Sequence, residues 1–167
     1  MRKHHWIGLA VAMALFATTA VQAANFRWAN DGDANSMDPY VRSETFLLTF
    51  TQNIYDPLVR RDRNLKVEPA LAESWEQPNP TTWRFHLRHN VKFQEGQPFT
   101  ADDVVFSYQR ATGPGSQINA YFEAVQDVKK IDDFTVDFVT KFPNPIMLEE
   151  ISFKSLALDL AERKLCL

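Results

Sequence analysis

The stretch Trp83-Arg84-Phe85-His86-Leu87-Arg88 alternates large apolar residues with basic ones at every step. Successive side chains of a strand point to opposite faces, so this period of two predicts a strand with Trp83, Phe85 and Leu87 towards a core and Arg84, His86 and Arg88 towards water. A sheet with one dry and one wet face is characteristically antiparallel.

The same pattern returns downstream. Phe134-Thr135-Val136-Asp137-Phe138 predicts a second strand with Phe134, Val136 and Phe138 inward, following the polar run Val128 to Asp133. Upstream, Leu58-Val59-Arg60 and Leu65-Lys66-Val67 predict two short strands joined by the polar turn Arg61 to Asn64. Asn25 to Ala29 predicts another short strand, with Phe26 and Trp28 on one side and Arg27 on the other.

Helical signals lie between these strands. From Glu44 to Tyr55, Phe46, Leu47, Phe50 and Ile54 recur at helical spacing and stop before Pro57. Ala70 to Trp75 predicts a single helical turn that brings Leu71 and Trp75 to one face. Thr100-Ala101-Asp102-Asp103 is a capping-box start, with both acids at the positive end of the helix dipole; the helix runs to about Ala111, before Gly113-Pro114-Gly115. A further helix is predicted from Asn119 to Gln126, and a last helical piece from Ile146 to Ile151. The expected fold class is α/β in the mixed α+β sense, with an antiparallel sheet and few long helices.

The first residues are of a different kind. Met1-Arg2-Lys3-His4-His5 leads into the apolar run Trp6 to Phe16 and then into small residues up to Ala24. This is the pattern of a secretory signal peptide over residues 1–23, cut between Ala23 and Ala24. A membrane-spanning helix needs about 20 apolar residues, and this run is too short. The expected location is therefore the periplasm, with the product free of the membrane, because no cysteine near the cut could carry an acyl anchor.

After that cut 16 basic residues face 21 acidic ones, a net charge of −5, which argues against nucleic acid as a partner. The single cysteine, Cys166, allows no disulfide within the chain. Catalytic patterns are missing from the sequence: there is no Gly-x-Ser-x-Gly elbow and no phosphate loop. His86 and His89 fall on opposite sides of a strand, which disfavours a shared metal. Capping and solvation account for Asp102, Asp103, Asp132 and Asp133. No enzyme, cofactor or metal is expected.

The ordered strings Tyr55-Asp56-Pro57-Leu58-Val59, Pro69-Ala70-Leu71-Ala72-Glu73-Ser74-Trp75, Trp83 to Arg88, Val91-Lys92-Phe93, Gly96 and Phe99 to Ser107 strongly resemble one family. It is the extracellular solute-binding proteins (family 5) of oligopeptide, dipeptide and nickel ABC importers, and the similarity spans about Phe26 to Glu150. The resemblance implies a periplasmic binding protein-like fold, here the start of lobe I (24–55) with an inserted small antiparallel sheet domain (56–152), and no lobe III. It implies capture of a peptide or similar small solute and delivery to an ABC importer of two permease and two ATP-binding subunits. A periplasmic chaperone or a sensor-docking protein on the same scaffold is the alternative.

Within the resemblance, Arg42, Ser43, Glu44 and Thr45 after the Asp38-Pro39 loop, and Tyr121 after the Gly-Pro-Gly break, are the positions implied to meet ligand. For Glu44 and Thr45 the start of the following helix is an equal explanation, and for Thr45 capping favours it. Residues 153–167 match nothing in the resemblance and are expected to be an aberrant tail, from a frameshift or a truncated reading frame.

Overall fold

The computed structural model describes Gly32, residues 36–41 and residues 43–152, all within one compact unit. The signal peptide over 1–23, the strand at Asn25 to Ala29, Arg42 and the tail at 153–167 lie outside the described residues.

The centre of the unit is a four-stranded antiparallel sheet. Its strands are β3 (Ala72–Asn79), β4 (Thr82–Leu87), β5 (Val125–Asp132) and β6 (Thr135–Thr140), in the order β3-β4-β6-β5. A separate hairpin pairs β1 (Val59–Arg61) with β2 (Val67–Pro69). Three α-helices complete the described residues: α1 (Thr45–Thr51), α2 (Ala101–Thr112) and α3 (Met147–Ile151), with a 3-10 helix at Asn119–Phe122.

The alternation in β4 does what it predicts. Phe85 and Leu87 are fully buried, and Phe85 meets Phe138 of β6 edge to face at 5.3 Å. Burying each such ring contributes roughly 3 kcal/mol. Trp83 is half-buried and donates its indole N–H to the Asn144 carbonyl at 3.1 Å, satisfying the one polar atom it carries inward. Helix α2 covers this dry face, chiefly over β5, with Val104 and Ala111 buried. Its start is the expected capping box: the Asp103 carboxylate accepts the Thr100 N–H at 2.8 Å and the Thr100 hydroxyl at 3.2 Å.

Both edge strands depart from expectation. Ala70 to Trp75 is not a helical turn: Ala72 begins β3, pairing with Leu87, and Trp75 pairs with Phe85. The predicted helix Asn119 to Gln126 is a 3-10 helix that ends at Phe122, and Val125 already belongs to β5. Edge position is the physical reason. Each of these strands pairs on one side only and contains register shifts, so neither shows period-two burial. Pro78 is tolerated in β3 because an edge strand has one unpaired side.

Helix α1 is shorter than Glu44 to Tyr55. The Thr51 hydroxyl donates to the Leu47 carbonyl at 2.8 Å and the Asn53 amide to the Thr49 carbonyl at 2.8 Å, so side chains compete for the backbone acceptors of the last turn. Leu47 is buried, whereas Ile54, expected on the apolar stripe, is exposed.

Candidate functional site

The loop before α1 is built around one carboxylate. The Asp38 N–H donates to the Ser36 hydroxyl at 3.0 Å, and Asp38 Oδ1 accepts the Tyr40 N–H at 2.9 Å across Pro39. That is an Asx turn, in which the side chain replaces a backbone acceptor and Pro39 has no N–H to leave unpaired. Asp38 Oδ2 takes the Arg110 guanidinium from the last turn of α2. A cation there also meets the negative end of the helix dipole.

Two more hydrogen bonds hold the loop. Tyr40 is buried, and its carbonyl accepts the Gln117 N–H at 2.9 Å. The Tyr55 hydroxyl donates to the Met37 carbonyl at 3.2 Å. The loop is thus fixed by residues from 18 to 77 positions further along the chain.

The candidate ligand residues sit directly after these anchors. Ser43 and Glu44 are exposed, and Glu44 is in extended conformation at the N-cap of α1, where its carbonyl accepts the Leu48 N–H at 3.0 Å. Thr45 is already the first helical residue, and its carbonyl accepts the Thr49 hydroxyl at 2.9 Å. The cap expected of Thr45 therefore falls to the Glu44 backbone, and no side-chain cap bond is made.

Tyr121 lies on the 3-10 helix and is 45% exposed, between buried Ile118 and Phe122. Phe122 meets Tyr108 of α2 edge to face at 5.8 Å, which fixes the helix that carries Tyr121. The Tyr40 to Gln117 hydrogen bond joins the two segments: Ser43 follows closely after Tyr40, and Tyr121 closely after Gln117. Sequence reading missed Arg110 and Gln117 as the residues that bring these segments together. Proline and the Asx-type Asp38 were the available signals for the turn, but nothing local marks its distant partners.

Of the two histidines only His86 lies on β4, which ends at Leu87 before His89. His86 lies 3.8 Å from Glu76 on the wet face, and His89 stacks on Phe134 at 4.0 Å. Among the described residues no group of three or more His, Cys, Asp or Glu side chains could hold a metal ion. The titrations that shift belong to the scaffold. Lys130 is pushed up by the carboxylates of Asp102 and Asp133, both 2.7 Å away, which tie the start of α2 to the β5–β6 hairpin. Burial, with a smaller contribution from Asp127, raises the Tyr108 phenol.

The model of the family described as bacterial extracellular solute-binding proteins, family 5 Middle, matches residues 66–163. The chain belongs to this family. The match runs to residue 163, so most of the stretch 153–167, expected to match nothing in the family, lies within it. The peptide transport periplasmic protein SapA of Salmonella typhimurium is 34% identical over 154 residues, covering 79% of this chain and 28% of that protein. The Haemophilus influenzae OppA complex with RPPGFSPFR is similar with a TM-score of 0.73 and 28% identity, covering 78% of this chain and 30% of that one. MoaA from A. tumefaciens R10, in complex with mannopinic acid, is similar with a TM-score of 0.71 and 33% identity, covering 79% and 29%.

The chain thus spans under a third of the length of these family members. The periplasmic binding protein fold is shared over that span. Family 5 is a family of solute-binding proteins, and this relative is periplasmic. Among the described residues no helix is long and apolar enough to cross a membrane.

Proposed function

We propose that the chain serves in the periplasm as part of the solute-binding component of an ABC importer, with peptide as its cargo. Residues 1–23 act as the export signal, 24–55 begin lobe I, and 56–152 form the domain inserted into it. Ser43, Glu44, Thr45 and Tyr121, with Arg42, contribute to the wall that meets the ligand. Its partners are two permease and two ATP-binding subunits, and the ATP-binding subunits supply the energy. The protein itself makes and breaks no covalent bond.

One observation carries this reading. On a scaffold shared with a peptide-bound OppA, the Tyr40 to Gln117 hydrogen bond ties the segment leading to Ser43–Thr45 to the segment leading to Tyr121. An exposed tyrosine offers a flat apolar face with a polar end, suited to a peptide backbone and side chain.

Titration calorimetry of the chain from Ala24 onward tests it against three probes: RPPGFSPFR, mannopinic acid and a reduced unfolded protein. The expected result is saturable heat with the peptide alone, with affinity falling about tenfold in Tyr121→Ala, as for loss of a moderate aromatic contact. Heat only with mannopinic acid overturns peptide as the cargo. Heat only with the unfolded protein favours a chaperone, and no heat with any probe rejects the reading for this chain.

A further inference from the structure

We propose that Arg110 is a positioning residue, which holds the 36–41 loop, and with it the start of α1, in the geometry that ligand binding uses. The proposal rests on the reading of Ser43–Thr45 as ligand-facing and adds the residue that sets their backbone.

Asp38 anchors the loop twice. Its carboxylate has two tasks at once, accepting the Tyr40 N–H with one oxygen and Arg110 with the other. The Asx turn alone is a local device, and side chains of this kind bond their own backbone in many loops. Arg110 changes its meaning, because it belongs to a helix whose other end is locked by Thr100 and Asp103 and whose core face is buried on the sheet. The guanidinium therefore transmits the position of the sheet domain to a loop far away in sequence.

Burial gives the pair its leverage. The Asp38 side chain is 19% exposed and the Arg110 side chain 35% exposed, so water screens the pair less than it screens a surface ion pair. The contact is made by one guanidinium nitrogen on one carboxylate oxygen, and the rigid planar guanidinium holds that geometry better than a flexible lysine would. The chain reaches Ser43 two residues after Val41, too short a path for the backbone there to forget where Tyr40 is held.

Hydrogen exchange of the chain from Ala24 onward, read by mass spectrometry, tests this in Arg110→Ala, Arg110→Lys and Asp38→Asn. Exchange over residues 36–45 is expected to quicken about tenfold in Arg110→Ala and Asp38→Asn, with β4 and β6 unchanged and Arg110→Lys between wild type and alanine. Unchanged exchange over 36–45, or an equal rise across the sheet, overturns the proposal. The affinity for RPPGFSPFR should fall in the same order as exchange rises. Equal affinity in all variants also overturns it. If wild type itself binds no peptide, the proposed function fails, and exchange alone still decides whether Arg110 holds the loop.

Discussion

Arg84 on β4 and Asp137 on β6 stand opposite each other in the register and share two parallel hydrogen bonds, Nε to Oδ1 and Nη2 to Oδ2, both 2.8 Å. Glu76 lies opposite Arg84 on β3, and Lys129 opposite Asp137 on β5. A row of alternating charge thus crosses all four strands on the wet face. Like charges directly opposite would oppose pairing, so the row favours this strand order over its alternatives. The Asp137 hydrogen bond, then its charge, raises the Arg84 guanidinium further.

Asp137 is only 8% exposed, so removing its partner strands a nearly buried carboxylate. Arg84→Ala should therefore lower the urea midpoint more than the Arg84→Ala/Asp137→Ala double variant does. Equal midpoints for the two would mean that the pair is solvated and contributes little.

The aromatic contact on the other face of the same two strands should dominate stability. Phe138→Ala is expected to destabilise by about 3–5 kcal/mol and Phe85→Ala similarly, as for ring deletion in a packed core. Because the rings touch, the double variant should lose less than the sum. Chemical unfolding followed by tryptophan fluorescence measures all three.

At the tip of the β1–β2 turn Leu65 has φ +65° and is 68% exposed. A branched apolar side chain gains nothing there and opposes the left-handed backbone. Leu65→Asn should raise stability by about 0.5–1 kcal/mol, since asparagine tolerates that conformation. A loss of stability in thermal melts would show that Leu65 makes a contact its exposure does not suggest.

Two groups give stability a dependence on pH. The Phe134 N–H, donated at 2.8 Å, holds the Asp132 carboxyl below its ordinary value. Its contribution is present above the ordinary carboxylate range and is lost as pH falls through the folded value, so Asp132→Asn should flatten the acid side of the stability profile. Tyr108 behaves oppositely: burial raises its phenol, so stability is present below the ordinary tyrosine range and is lost as pH climbs through the raised value. Tyr108→Phe should remove that alkaline loss. Urea midpoints across pH read both effects.

How much of this was legible in the sequence depended on where a strand sits in the sheet. Central strands β4 and β6 have partners on both sides and a helix over one face, so Phe85, Leu87, Val136 and Phe138 show their burial as alternation. Edge strands β3 and β5 have bulges and a largely exposed surface. Ala70 to Trp75 consequently shows only its helix-forming composition, and Val128 to Asp132 only its charge. The cap at Thr100 was legible because its partner is three residues away. For Asp38 the partner is 72 residues away, beyond the reach of any local pattern.

The central claim is that ligand touches the chain at Ser43–Thr45 and Tyr121. Amide chemical shifts followed by two-dimensional NMR while RPPGFSPFR is added should move at Ser43, Glu44, Thr45 and Tyr121 and stay fixed on the wet face at Glu76, Arg84 and Lys129. Shifts that cluster on that charged face instead, or a spectrum that the peptide leaves untouched, would contradict it.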